Sequence, residues 1–267
     1  MNYKMIAIDL DDTLLRNDKT ISVKSAQVLN EAARKGVKII LASGRTVEST
    51  YFYMQQMGLD FPVIGFQGAY VFDGMNKRVL HEVLLDCEKA LPIIQHAETL
   101  GLHCNAYIED KIYVGEKNKW SQFYKENFIN SSVMIQVGKL SKFINSSVIK
   151  ILIADENELL QKVKPQFERI AGEEVNTFFS QPFFLEFTNK KATKGYALKV
   201  LANHYGIQKE EIIAVGDTYN DISMIEYAGL GICMGNGVEK VKEIADFVTL
   251  GNEEDGVAYA VEKFLLS

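Results

Sequence analysis

The sequence predicts an α/β chain: a doubly wound, mostly parallel Rossmann-like core sheet with an α+β module inserted into it. Three observations carry that expectation. The chain opens with an apolar, β-branched run, Met5-Ile6-Ala7-Ile8, closed by Asp9, which is the pattern of a strand buried on both faces. Strand-like and helix-like segments then alternate, which demands a parallel sheet with right-handed crossovers. The same rhythm returns near residue 187, after a middle stretch that lacks it.

Each element has its own local signal. After the first strand comes a polar loop, Arg16 to Thr20. Ser22 then reads as an N-cap, Ala26, Leu29 and Ala33 recur at helical spacing, and Gly36 suits the residue past a helix end. Val37 to Ala42 is the second strand; it ends at Ser43-Gly44-Arg45, and a helix is expected from about Thr46 to Gly58. Pro62 to Phe66 reads as a third strand, and Tyr70 to Leu85 holds two short β runs around Asp73-Gly74, a hairpin signal. In the middle, β runs at Lys111–Val114, Val148–Ile153 and Phe183–Phe187 are separated by polar stretches such as Asn145-Ser146-Ser147 and Gly172-Glu173-Glu174. Beyond it, a helix runs from Thr193 to Tyr205 and is closed by Gly206. Glu211 to Val215 is a strand ending at Gly216-Asp217, Asp221 to Tyr227 is helical, Leu230 to Met234 is a strand, Val238 to Glu243 is helical, and Phe247-Val248 is a last short strand. Residues 1–85 and 187–267 are therefore expected to form one domain and residues 86–186 a second.

Composition narrows the partners. The chain has 267 residues, is 47% hydrophobic and 24% charged, and carries a net charge of −6. An acidic chain without a Lys/Arg block lacks the basic footprint that nucleic-acid binding needs. No apolar run approaches the ~20 residues of a membrane span, and the N-terminus enters a strand directly, without a signal-peptide core. Cys87, Cys104 and Cys233 are scattered and odd in number, which fits reduced thiols better than a disulfide frame. A cytoplasmic location is expected. Oligomeric state is not readable.

The chemistry gathers at strand ends. Asp9 and Asp11 follow the first strand, Ser43 and Gly44 the second, Lys194 opens a later helix, and Asp217, Asn220 and Asp221 follow a fourth polar strand end. Singly, these have plain readings: Ser43 as an N-cap, Lys194 as a surface lysine, Asn220-Asp221 as a turn pair. In a doubly wound sheet, however, the carboxyl ends of the strands converge on one crevice. Clustered carboxylates repel unless a cation joins them, and a hard divalent ion such as Mg²⁺ suits carboxylate oxygens. Carboxylates, one ammonium, one hydroxyl and exposed backbone amides fit phosphoryl transfer, in which positioning and charge neutralisation do most of the work. A carboxylate can serve as the nucleophile, giving an aspartyl-phosphate, and a second can move the proton.

Asp9-x-Asp11-x-Thr13, Ser43-Gly44-Arg45, Lys194-Gly195 and Gly216-Asp217-x-x-Asn220-Asp221 resemble, in order and spacing, the four motifs of the haloacid dehalogenase superfamily. The large insert, Met234-Gly235-Asn236-Gly237 and Asn252-Glu253-Glu254-Asp255-Gly256 resemble its Cof-type phosphatases. The resemblance covers the whole chain. It implies that Asp9 is the nucleophile and a Mg²⁺ ligand, and that Asp11 is the general acid/base and binds Mg²⁺ through its backbone carbonyl. Asp217 and Asp221 are implied as further metal partners. Ser43, Gly44, Lys194 and Asn220 are implied as phosphate-binding residues. Thr13 is expected to shape the turn, Asp12 to be a solvated bystander, and Arg45 to be structural. Gln67-Gly68-Ala69 replaces the family's more familiar Asn-Gly-Ala. The implied reaction is Mg²⁺-dependent hydrolysis of a small phosphorylated metabolite (a sugar phosphate, nucleotide or phosphorylated cofactor), with the insert acting as a cap. A phosphomutase on the same scaffold and a non-catalytic phospho-accepting module remain as alternatives. Gln67, Tyr107 and Glu186 are candidates for facing the crevice. Trp120, Phe123 and Tyr124, at helical spacing, are expected to pack in a core.

Overall fold

A computed structural model describes residues 3–109, 111–128 and 133–267. The chain divides into two units, residues 1–82 with 193–267, and residues 83–192.

The first unit begins with β1 (Met5–Asp9), α1 (Val23–Arg34), β2 (Lys38–Ala42), α2 (Val47–Gln56) and β3 (Val63–Gly65), followed by the hairpin strands β4 (Tyr70–Asp73) and β5 (Arg78–Glu82). The local signals do their work. The Ser22 hydroxyl accepts from the Ser25 N–H at 3.0 Å and caps α1, and Thr46 caps α2 through the Ser49 N–H at 3.2 Å.

The second unit holds α3 (Cys87–Thr99), β6 (His103–Ile108), β7 (Lys111–Val114), α4 (Lys119–Phe128), β8 (Val133–Gln136), α5 (Leu140–Phe143), β9 (Lys150–Ala154), α6 (Asn157–Ala171), β10 (Val175–Gln181) and β11 (Phe184–Asn189). Its six strands form one sheet in the order β10-β11-β9-β6-β7-β8, antiparallel except for β7 with β8. One face of that sheet, with Ile151, Ile153, Leu185 and Phe187, packs on Ile93 and Ile94 of α3 and Phe167 of α6. Trp120 and Phe123 of α4 pack with Phe183, and Tyr124 with Phe184, as their spacing predicts. The domain boundary expected at 186/187 falls inside β11. That strand pairs with β9 from Phe184 to Thr188, so its hydrogen bonds carry the second unit on to residue 192.

The chain returns to the first unit through α7 (Lys194–Tyr205), β12 (Ile212–Gly216), α8 (Ile222–Tyr227), β13 (Leu230–Cys233), α9 (Glu239–Ile244), β14 (Phe247–Val248) and α10 (Gly256–Val261). Its eight strands run in the order β14-β13-β12-β1-β2-β3-β4-β5. All neighbours from β14 to β3 are parallel, and the β3–β4 and β4–β5 pairs are antiparallel. Ala7, Ile40 and Ala214 pack against Leu198 and Leu201 of α7 on one face. Ile6, Ile8, Ile39, Leu41 and Val215, which alternation sends to the other face, are equally buried. The fold class expected from the sequence is borne out. β1 leads to β2 on one side and pairs with β12 on the other. Strand order therefore reverses between β1 and β12, and open α/β sheets bind ligands at such a switch point.

Candidate active site

Asp9 closes β1, and Asp217 follows β12, so the two carboxylates meet at the switch point. Lys194 is the first residue of α7, whose N-cap, Thr193, accepts from the Tyr196 N–H at 3.2 Å. Far from being a surface lysine, Lys194 is fully buried. Its Nζ donates to Asp9 Oδ1 and, at 2.6 Å, to Asp221 Oδ1. The other oxygen of Asp221 accepts from the backbone N–H groups of Asp217 (3.0 Å) and Thr218 (3.1 Å). That carboxylate thus ties the loop after β12 to the ammonium. Asp9, Asp217 and Asp221 each offer an oxygen within 4.8 Å of the others, and all three residues are buried. Thr13 does more than shape a turn: its hydroxyl donates to Asp217 Oδ1 at 2.8 Å.

The cluster carries three carboxylates against one ammonium. Burial, followed by repulsion from Asp221, pushes Asp217 up to about 6. Asp9 is raised as well: burial is the main cause, Lys194 opposes it, and Asp221 and Asp217 add to it. Burial alone would lower Lys194, but the charges of Asp221 and Asp9 outweigh it and hold the ammonium protonated. The excess negative charge and an all-oxygen donor set fit a hard divalent cation.

Asp11 lies apart from this cluster. Its carboxylate accepts two hydrogen bonds from Arg45, from Nε and Nη2, both at 2.7 Å, and pairs with Lys19 at 3.2 Å. Burial works against its ionisation, but the Arg45 hydrogen bond and charge, aided by Lys19, hold its pKa below the ordinary value. Arg45 therefore has a defined partner that its place in the sequence did not disclose. The need for a cation opposite Asp11 was the one available signal.

Ser43 is buried. Its hydroxyl accepts from the Arg45 N–H at 3.1 Å, and it does not cap α2. Asn220 Nδ2 donates to Gln67 Oε1 at 2.9 Å, so Gln67 lies among the first unit's strand-end loops. Tyr107 and Glu186 belong to the second unit's sheet. There Glu186 accepts from Lys150 at 2.9 Å and from the Ser180 hydroxyl at 2.7 Å, while the Lys150 ammonium lies 4.8 Å from the Tyr107 ring centre.

Asp12 takes part through its backbone. It adopts a left-handed conformation, φ 58°, and its carbonyl accepts from Asn236 Nδ2 at 2.8 Å. Asn252 continues the brace. Its N–H donates to Asn236 Oδ1 at 2.9 Å, and its buried Nδ2 donates to the Leu15 carbonyl at 3.0 Å. Arg16 pairs with Asp255 at 3.0 Å. Asn252→Ala, which leaves that carbonyl unpaired, is expected to lower unfolding free energy by about 1–3 kcal/mol. Asn252→Asp, unable to donate, should lose nearly as much in chemical denaturation.

The comparison with known proteins decides the family. A family model described as haloacid dehalogenase-like hydrolase matches residues 6–261. The chain belongs to this family. It is 31% identical over 270 residues to the 5-amino-6-(5-phospho-D-ribitylamino)uracil phosphatase YitU of Bacillus subtilis, covering 97% of each chain. It is 28% identical over 274 residues to the pyridoxal phosphate phosphatase YbhA of Escherichia coli, covering 100% of each. The crystal structure of a haloacid dehalogenase-like hydrolase from Bacteroides thetaiotaomicron superposes with a TM-score of 0.88 at 32% identity, covering 98% of this chain and 99% of that one. The chain is a phosphatase of the haloacid dehalogenase family. No helix among the described residues is long and apolar enough to cross a membrane.

Proposed function

We propose that this haloacid dehalogenase-family phosphatase hydrolyses phosphate monoesters of small metabolites through an aspartyl-phosphate on Asp9. The observation that carries the reading is the buried set of Asp9, Lys194, Asp217 and Asp221 at the switch point of the sheet. An Asp9 oxygen attacks phosphorus while the bond from phosphorus to the ester oxygen breaks, and that oxygen leaves with a proton from Asp11. Water then attacks the phosphorus of the acyl phosphate, Asp11 takes its proton, and inorganic phosphate leaves. Held by Arg45 and Lys19, Asp11 is an ionised base suited to the second step. To deliver a proton in the first step, the Asp11 carboxylate must leave Arg45, take up a proton from solvent and turn to the leaving-group oxygen. The proton taken from water in the second step then restores the acid for the next turnover.

Lys194, the Ser43 hydroxyl, the Gly44 amide and Asn220 hold phosphoryl oxygens in this reading. Asp9, Asp217, Asp221 and the Asp11 backbone carbonyl would hold Mg²⁺, which when bound neutralises the carboxylates and the phosphoryl charge. The inserted unit acts as a cap that selects the leaving group. The names of two relatives, a 5-amino-6-(5-phospho-D-ribitylamino)uracil phosphatase and a pyridoxal phosphate phosphatase, support phosphorylated cofactors and their precursors as candidate substrates in this reading. The test is phosphate release from p-nitrophenyl phosphate, with Mg²⁺ and with chelator. Activity only with Mg²⁺ is expected, and an inactive wild-type protein in Mg²⁺ overturns the reading.

A second measurement follows from the pKa of Asp217. Folding raises it from the ordinary 3.8 to about 6. A group raised by folding holds its proton more tightly in the folded state, so its favourable contribution is complete below about pH 4 and lost as pH rises through about 6. That loss amounts to about 3 kcal/mol in metal-free protein. Mg²⁺ binding to the ionised cluster offsets it. Millimolar Mg²⁺ should therefore raise Tm by several degrees at pH 7.5 and progressively less below pH 6. A pH-independent Tm rise would contradict this assignment.

A further inference from the structure

Gln67 stands in three unusual circumstances at once. It occupies a left-handed backbone conformation, φ 61°, directly after Phe66 at φ 51° and before Gly68 at φ 101°. Consecutive non-glycine residues in that region are strained, and such strain persists where surrounding structure enforces it and clusters at functional sites. Here the enforcement is visible. The Phe66 N–H donates to the Arg45 carbonyl at 2.8 Å, and the Gln67 N–H donates to the Ser43 carbonyl at 3.1 Å. The turn is stapled to the loop that carries Ser43 and Gly44. It also lies against the start of α7, since a Cβ at Gly68 would fall 2.2 Å from the Thr193 carbonyl oxygen.

The side chain is aimed as specifically as the backbone. Gln67 Oε1 accepts from Asn220 at 2.9 Å. Its amide lies over Gly44 so closely that a Cβ there would sit 2.4 Å from Nε2. One half-buried amide therefore spans the Ser43–Gly44 loop and the Asn220 loop. Its oxygen is used, and no acceptor for Nε2 is found among the described residues.

We propose that Gln67 is a substrate-contacting residue. Its Nε2 donates to a non-bridging oxygen of the substrate's phosphoryl group while Oε1 holds Asn220 in place. This rests on the phosphatase reading above and adds a phosphate contact to it.

The test uses the full chain with Gln67→Glu, Gln67→Leu and Gln67→Asn. KM and kcat for p-nitrophenyl phosphate, the inhibition constant of inorganic phosphate, and Tm are measured for each. Gln67→Glu keeps the acceptor for Asn220 and replaces only the donor with a negative oxygen. It is expected to weaken both KM and phosphate inhibition by about tenfold or more. Gln67→Leu should weaken both by about threefold to tenfold. Asn tolerates left-handed backbone well, so an intermediate loss in Gln67→Asn reports reach and not strain. Variants that shift Tm or kcat but keep phosphate affinity within twofold of wild type overturn the proposal. If wild-type protein releases no phosphate, titrating inorganic phosphate by ³¹P NMR separates the two ideas. Binding weakened in Gln67→Glu sustains the contact although the phosphatase reading fails, and binding unchanged overturns both.

Discussion

Asp9→Asn lowers kcat for phosphate release by roughly 10³-fold or more while the protein stays folded. The amide keeps the shape of the side chain at the end of β1 but removes the charged oxygen that attacks phosphorus in the proposed mechanism, so that mechanism loses its covalent step outright. The surroundings survive. Lys194 retains Asp221 at 2.6 Å, and Asp221 retains its two backbone donors. The buried cluster loses one of three carboxylates, which relieves Asp217. In chelator at pH 7.5 the variant should therefore melt at or above the wild-type temperature. Steady-state phosphate release, trapping of phosphoenzyme and thermal melting check the three parts. Retention of more than about a tenth of wild-type activity, far outside the loss expected for a nucleophile, would remove Asp9 from that role.

Lys194→Met has the largest expected effect on stability. Lys194 is the cation seen bonded to both Asp9 and Asp221, and it is fully buried. Removing one partner of a buried ion pair leaves a charge without compensation, at a cost of about 3–5 kcal/mol. Here two carboxylates lose the same partner. The variant should be destabilised by about that amount at neutral pH without Mg²⁺, and its kcat should fall by roughly 10²-fold or more because the cation proposed to face the phosphoryl group is gone. The double variant Lys194→Met/Asp9→Asn should recover part of the stability and none of the activity, a non-additivity that a shared network predicts and independent sites do not. Simple addition of the two single-variant stability changes would show that the pairs are uncoupled.

The elements were legible wherever a short stretch carries its own physics. Alternation of buried runs and capped helices marks β1, α1 and β2, and the left-handed Gly206 closes α7. Asp9 and Asp217 were readable as strand-end acids because a parallel sheet brings its carboxyl ends together. The second domain boundary was not legible at 186/187. Phe184 to Thr188 reads as a strand in either unit, and only pairing with β9 assigns it to the insert.

The same contrast runs through the site. Residue type and local order sufficed to nominate Asp9, Asp11, Ser43, Lys194 and Asp217, because chemistry restricts which side chains can serve and βα rhythm says where they stand. Local order could not say who faces whom. Arg45 reaches Asp11 across 34 positions, Gln67 reaches Asn220 across 153, and Asn252 reaches Leu15 across 237. Those contacts follow from strand order in the sheet and from left-handed turns at Asp12 and Gln67. They decide that Asp11 is clamped, that Asp217 is held by Thr13, and that Lys194 is buried between two carboxylates. A carboxylate's identity is local and its charge partner is not, because desolvation and pairing are properties of the packed sheet edge.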